Sequence, residues 1–138
     1  MDMKVSSTQA DAKAAFLAER LKPGEHYAGI LLGKNGEPDQ HLVVVAVNDT
    51  EANWAKQTAW AQSLGGEMPT RRELNLLRAN LRELFKNDWY WSCETHEADT
   101  AYAWYQRFTS GNQYDGHKSA ALRAVAVRRS PIQSFTHS

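Results

Sequence analysis

One cysteine, Cys93, stands alone in a chain of 138 residues, so no intrachain disulfide can form. Extracellular domains of this size commonly rely on disulfides, and a single thiol points instead to a reducing compartment. No stretch approaches the roughly 18 consecutive apolar residues of a membrane span. The opening MDMKVSSTQADAKAAF has no apolar core of the signal-peptide kind. The expectation is a protein without membrane contact, made and kept in a host-cell cytoplasm or carried on a particle assembled there. Net charge is also missing: 16 basic side chains balance 16 acidic ones. A broad basic face for nucleic acid is therefore not expected, because phosphate contacts need uncompensated cations. The arginines at 71, 72, 78 and 82 leave room only for a local basic patch.

What is there suits one domain, residues 1–138, with a helical extension over 1–24 and a core over 25–130. A helix is expected from Thr8 to Leu21, with Thr8 and Asp11 placed as a capping box and Lys22-Pro23-Gly24 as its stop. Its apolar stripe is Ala10, Ala14, Leu17 and Leu21. Strands follow at 26–33 and 40–47, joined by a turn at Asn35-Gly36, the strongest short hairpin signal. The second strand is apolar almost throughout, which places it inside the sheet. A helix over 53–64, with Trp54, Ala61 and Leu64 on one face, ends at Gly65-Gly66, a left-handed C-cap signature. The next helix starts at Thr70 with Glu73 three residues on, the spacing of a capping box. It carries Leu74, Leu77, Leu81 and Leu84 at helical spacing and leaves Arg71, Arg78 and Arg82 to solvent. Strands are then expected at 89–93, 101–108 and 121–128, separated by polar loops at 94–100 and 109–120. The order is helix, two strands, two helices, three strands. That is an α+β fold with helices on a mainly antiparallel sheet, whose N- and C-terminal strands are placed to pair.

The run GGEMPTRREL (65–74), then YWSCE (90–94), AYAWYQRFTSGNQYDGHKS (101–119) and LRAVAVRR (122–129) resembles the Lcl C-terminal domain family. The combination of PTRRE with HKS is similar to small members found in bacteriophages and prophages. The resemblance covers roughly residues 53 to 129. It implies a C-type-lectin-like fold with two central helices plus the N-terminal one. It makes Trp91, Trp104 and Phe108 core residues and Gly111 a turn, and it puts the loops after the strands at 89–93 and 101–108 on one exposed surface where ligands bind. The chain departs from the family pattern at Glu67-Met68, at Cys93-Glu94, and at Val125, where the family carries an arginine.

The segment from Asp88 to Phe108 concentrates aromatic rings around Cys93, His96 and four acids. Zinc prefers converging Cys and His ligands, and one cysteine with His96 and His117 supplies no paired motif. Calcium needs six or more oxygens, and the Glu-Pro-Asp at 37–39 sits in the early hairpin without the further motif that sugar-binding relatives use. No phosphate-binding glycine motif occurs. A Cys93–histidine dyad and acid–base pairs among Glu94, Glu97, Asp99 and Asp115 keep a small cysteine- or metal-dependent enzyme as one alternative. The reading that fits best is non-enzymatic binding without cofactor, because Tyr, Trp, His, Asn and Arg make rigid amphipathic contact surfaces. The expected contact residues are Glu94, His96, Tyr105, Arg107, Gln113, Tyr114, Asp115 and His117. The partner expected is a host or viral protein, with a glycan as a further option, and no nucleic acid. A homo-oligomeric virion or assembly component is the other alternative.

Overall fold

A computed structural model describes residues 8–132. Within them lie α1 (Thr8–Glu19), β1 (His26–Leu31), β2 (Gln40–Ala52), α2 (Trp54–Ser63), α3 (Arg71–Leu81), β3 (Trp89–Thr95), β4 (Tyr102–Arg107), β5 (Gln113–His117) and β6 (Leu122–Pro131). A short 3-10 turn, Arg82–Leu84, follows α3. The strands form one six-stranded sheet in the order β1-β2-β6-β3-β4-β5. All pairings are antiparallel except β3 with β6, which touch in parallel at Tyr90 and Arg123. The fold is α+β, as the order of elements predicts. The C-terminal strand pairs with β2, not with the N-terminal β1, which is left at the edge.

Several elements form for the local reasons the sequence suggests. Asn35 and Gly36 both take positive φ, 56° and 86°, at the apex of the β1–β2 hairpin. Asn53 caps α2 by accepting from the Lys56 amide. Gly65, at φ 78°, ends that helix. The Gly66 amide reaches the Ala61 carbonyl and the Gly65 amide reaches Gln62, a Schellman closure. Thr70 and Glu73 make the full capping box of α3. In α1 the buried side chain is Phe16, not the expected alanine–leucine stripe: Ala14 is exposed and Leu17 and Leu21 are only half-buried. The cap expected of Thr8, and the side chain of Ala10, fall outside the described side chains. Leu64 is exposed, and the buried polar residue of α2 is Gln57. Its amide donates to the Thr50 and Leu122 carbonyls and accepts from Asn48, so nothing in it is left unpaired.

Both faces of the sheet carry helices. Val125 and Val127 of β6 turn to α3, joining Leu42, Val44, Leu74, Leu77, Tyr90 and Phe108. Ala124 and Ala126 turn the other way, to α2, with Ala61, Met68 and Trp91. This two-sided burial is why the middle of β6, Ala124 to Val127, reads as an unbroken apolar run. On the α2 side, α1 covers the far end: Phe16 stacks on His41 at 4.3 Å and sits beside Tyr27. Beyond β6 the sheet splays, and the 67–69 segment fills the gap: Glu67 bridges to Val127, and the Cys93 amide donates to Pro69.

An ion-pair cluster ties α3 to β6. Glu73, only 2% exposed, accepts from Arg129 at both oxygens, 2.6 and 2.8 Å, while also closing the capping box. Arg129 additionally pairs with Glu67. These contacts, the hydrogen bonds that Arg129 donates to Glu73 first, hold its guanidinium firmly charged.

Candidate functional site

Strand alternation divides the eight expected contact residues between opposite faces of the sheet. The residues 109–120, expected as a loop, contain β5, which pairs with β4 from Gln106–Gln113 to Tyr102–His117. Gln113, Asp115 and His117 therefore share the α3 face with Trp104, Glu94 and His96. Tyr114 shares the opposite face with Tyr105, its direct partner, and Arg107 lies on that face opposite Trp89. One continuous loop surface does not form.

The α3-face group is built on the first turn of α3. The Arg71 guanidinium lies 3.7 Å over the Trp104 ring, and His96 stacks on the same ring at 5.2 Å. Arg71 Nε donates to Gln113 Oε1 at 2.8 Å, and Gln113 Nε2 returns a bond to the Arg71 carbonyl and another to Gln106. The Arg71 amide donates to Glu94 Oε2 at 2.8 Å, a carboxylate at a helix N-terminus where the dipole favours it. Glu94 and Gln113 are thereby occupied in holding the helix to β4 and β5. Trp104 is half-buried beneath Arg71 and His96, not part of the core, whereas Trp91 and Phe108 are fully buried. Arg78 and Arg82 are not a free solvated face either. Arg78 donates to the Phe108 and Thr109 carbonyls and Arg82 to Thr109, clamping the β4–β5 turn at Gly111. Sequence periodicity separates these arginines from the leucines correctly but cannot show which backbone carbonyls come within their reach. At the outer end, His96 Nε2 lies 3.5 Å from Asp115, and with Asp99 and Tyr102 they line an open depression of about 240 Å³.

The opposite face is different in kind. Trp89, Tyr105 and Tyr114 cross β3, β4 and β5 as a contiguous strip, with ring centroids 5.5 and 5.8 Å apart. Trp91 anchors it from below, edge-on to Tyr105. Trp89 is 40% exposed and Tyr114 42%. α2 packs over β6 and β3, so the strip lies beyond its cover. Gly116 is part of the construction: a Cβ there would sit 3.1 Å from the Tyr105 ring, so the glycine lets that ring lie flat on β5. Trp89 is the surface residue that reasoning from sequence missed. Its place at the start of an aromatic strand, opposite Arg107, was the available signal.

Cys93 borders a small depression of about 150 Å³ with Trp54, Thr58, Gln62, Glu67 and Met68. Burial pushes its thiol up to about 11, with Arg129 opposing and the nearby glutamates reinforcing. Among the described residues neither His96 nor His117 hydrogen-bonds to it. Among the described residues no three His, Cys, Asp or Glu side chains converge as metal ligands would. No described helix is long and apolar enough to cross a membrane.

No protein-family model matches the chain, and no curated protein matches it.

Proposed function

We propose that the chain is a non-enzymatic, C-type-lectin-like binding domain of the Lcl C-terminal kind, phage- or prophage-encoded, that engages a host or viral protein without a metal. The observation that carries this reading is the exposed Trp89–Tyr105–Tyr114 strip. Large aromatic rings left in water on an otherwise covered sheet mark an interaction site, and Trp and Tyr are the side chains that dominate protein contacts. Tyr105 is stacked by Trp89, leaned on by Tyr114 and met edge-on by Trp91, so the centre of the strip offers no open platform for a sugar. That favours a protein partner over a glycan. The high thiol pKa of Cys93 counts against a cysteine nucleophile, because the thiolate is the reactive form.

The test is capture from bacterial lysate by tagged protein, with a Trp89→Ser, Tyr114→Ser double variant alongside. Tyr105 is half-buried against Trp91 and is a poorer choice. A protein retained by the wild type and lost by the folded variant supports the reading. Equal retention by both removes the strip from it. A subunit contact in a homo-oligomer would bury the same strip, and light scattering showing a monomer at micromolar concentration argues against that alternative.

A further inference from the structure

The outer edge of β5 is open. Antiparallel pairs alternate between bonded and non-bonded, so every second residue turns its backbone groups away from the partner strand. The Arg107 amide donates to Asn112 and the Lys118 amide to Ala101, which fixes the phase. Tyr114 and Gly116 therefore face β4, while Gln113, Asp115 and His117 direct N–H and C=O outward. The His117 carbonyl is taken by Ala120. No turn, cap or side-chain bond among the described residues takes the outward groups of Gln113 or Asp115. An exposed strand edge of this kind is a template for another strand.

Resting on the binding reading above, we infer that the partner adds an extended segment to β5, with basic side chains alternating with apolar ones. A strand laid against β5 projects alternate side chains to the two faces of the sheet. On one face they meet Tyr114 and continue the aromatic strip. On the other they meet the depression lined by Asp99, Asp115, Tyr102 and His96, with Glu97 close to His96. Arg71, the cation at the head of α3 on the same face, is spent on Trp104 and Gln113. The edge is therefore acidic on one side and aromatic on the other. A second copy of this chain is a poorer occupant, because β5 against β5 brings Asp115 of each copy close to the other.

The probe is a short acetylated peptide of alternating arginine and valine, compared with its glutamate–valine counterpart and with a version N-methylated on the edge-facing amides. Amide NMR spectra of the intact protein report the outcome. The arginine–valine peptide is expected to shift the Gln113 and Asp115 amides and slow their hydrogen exchange. Both comparison peptides should bind about tenfold or more weakly, one through charge and one through lost backbone bonds. Unmoved Gln113 and Asp115 amides, or an N-methylated peptide that binds equally well, would overturn the inference. Shifts that grow with protein concentration alone would replace the peptide with a second copy. A Trp89→Ser variant separates the two readings, because Trp89 lies on β3, two strands from the edge. If it loses the captured partner of the binding reading yet binds the arginine–valine peptide with wild-type affinity and the same amide shifts, strip and edge are separate sites and the link between them fails. If it still captures the partner while the peptide leaves Gln113 and Asp115 unmoved, the edge fails.

Discussion

At β1 the sheet ends under cover, and at β5 it ends in the open. The β1 backbone jogs between Tyr27 and Gly29, where a glycine at φ 127° admits a bulge. Asn80 of α3 reaches over to bond the Ala28 carbonyl at 2.7 Å, and Arg72 bonds the Leu32 carbonyl. Glu25, just before the strand, is held by Arg128 of β6, which also lies against Phe16 of α1. A bulge, a covering helix and paired charges all blunt an edge against unwanted strands. Among the described residues β5 has neither a bulge nor a covering helix on its outer side, and its neighbouring sheet face carries exposed aromatic rings. One edge of the sheet is blunted and the other is left open, the contrast on which the proposed contact at β5 rests.

The comparison breaks most severely at the sealed end. Replacing Arg129 with Met leaves the Glu73 carboxylate buried without its cation, and replacing Glu73 with Gln leaves Arg129 with Glu67 alone. The cost expected for Arg129→Met is about 3–5 kcal/mol, read by urea denaturation, since removing one partner of a buried pair strands the other. Trp89→Ser with Tyr114→Ser breaks two aromatic pairs and should cost about 1–3 kcal/mol in stability, while removing partner retention. A smaller loss, about 1 kcal/mol, is expected of Asn80→Ala, which frees the Ala28 carbonyl. The same variant should associate with rising concentration if the Asn80 contact is what keeps β1 from pairing.

The smallest effect is one of pH. The hydrogen bond from Arg128 holds the Glu25 carboxyl below the ordinary glutamate range, outweighing the opposing effect of burial. A group whose pKa is lower in the folded state stabilises the fold above its unfolded value. This contribution is present at neutral pH and is lost as pH falls below about 4.5 and through the folded value. Melting temperature measured down to pH 3 should fall less steeply in Glu25→Gln than in the wild type. Asp88 ends the same way: burial, the largest single influence, raises its carboxyl, but the Arg123 hydrogen bond, the Trp89 amide and the Arg123 charge together outweigh it and leave it lowered.

Local signals in the sequence led to most of the frame. Thr70 with Glu73, Asn35-Gly36 and Gly65-Gly66 each specify backbone geometry within a few residues, and each forms as expected. β5 was not legible because Gln113–His117 contains Asp and Gly, weak strand formers, and owes its conformation to pairing with β4. Missing it placed Gln113, Tyr114, Asp115 and His117 on one loop, whereas the pleat sends Tyr114 to the opposite face. Trp104 was misplaced for a related reason. The resemblance makes it core, but β4 lies one strand from the edge, where Arg71 and His96 cover the ring instead of apolar side chains. The buried Glu73, Gln57 and Gln106 carry no mark in the sequence, since their burial depends on partners distant along the chain.

The most direct test of the two edges places a photoreactive benzoylphenylalanine at position 114 on β5 in one protein and at position 26 on β1 in another. Each is expressed in bacterial cells and irradiated. The account predicts a discrete cross-linked partner from position 114 and none from position 26. Cross-links of equal yield from both positions, or from position 26 alone, would contradict it.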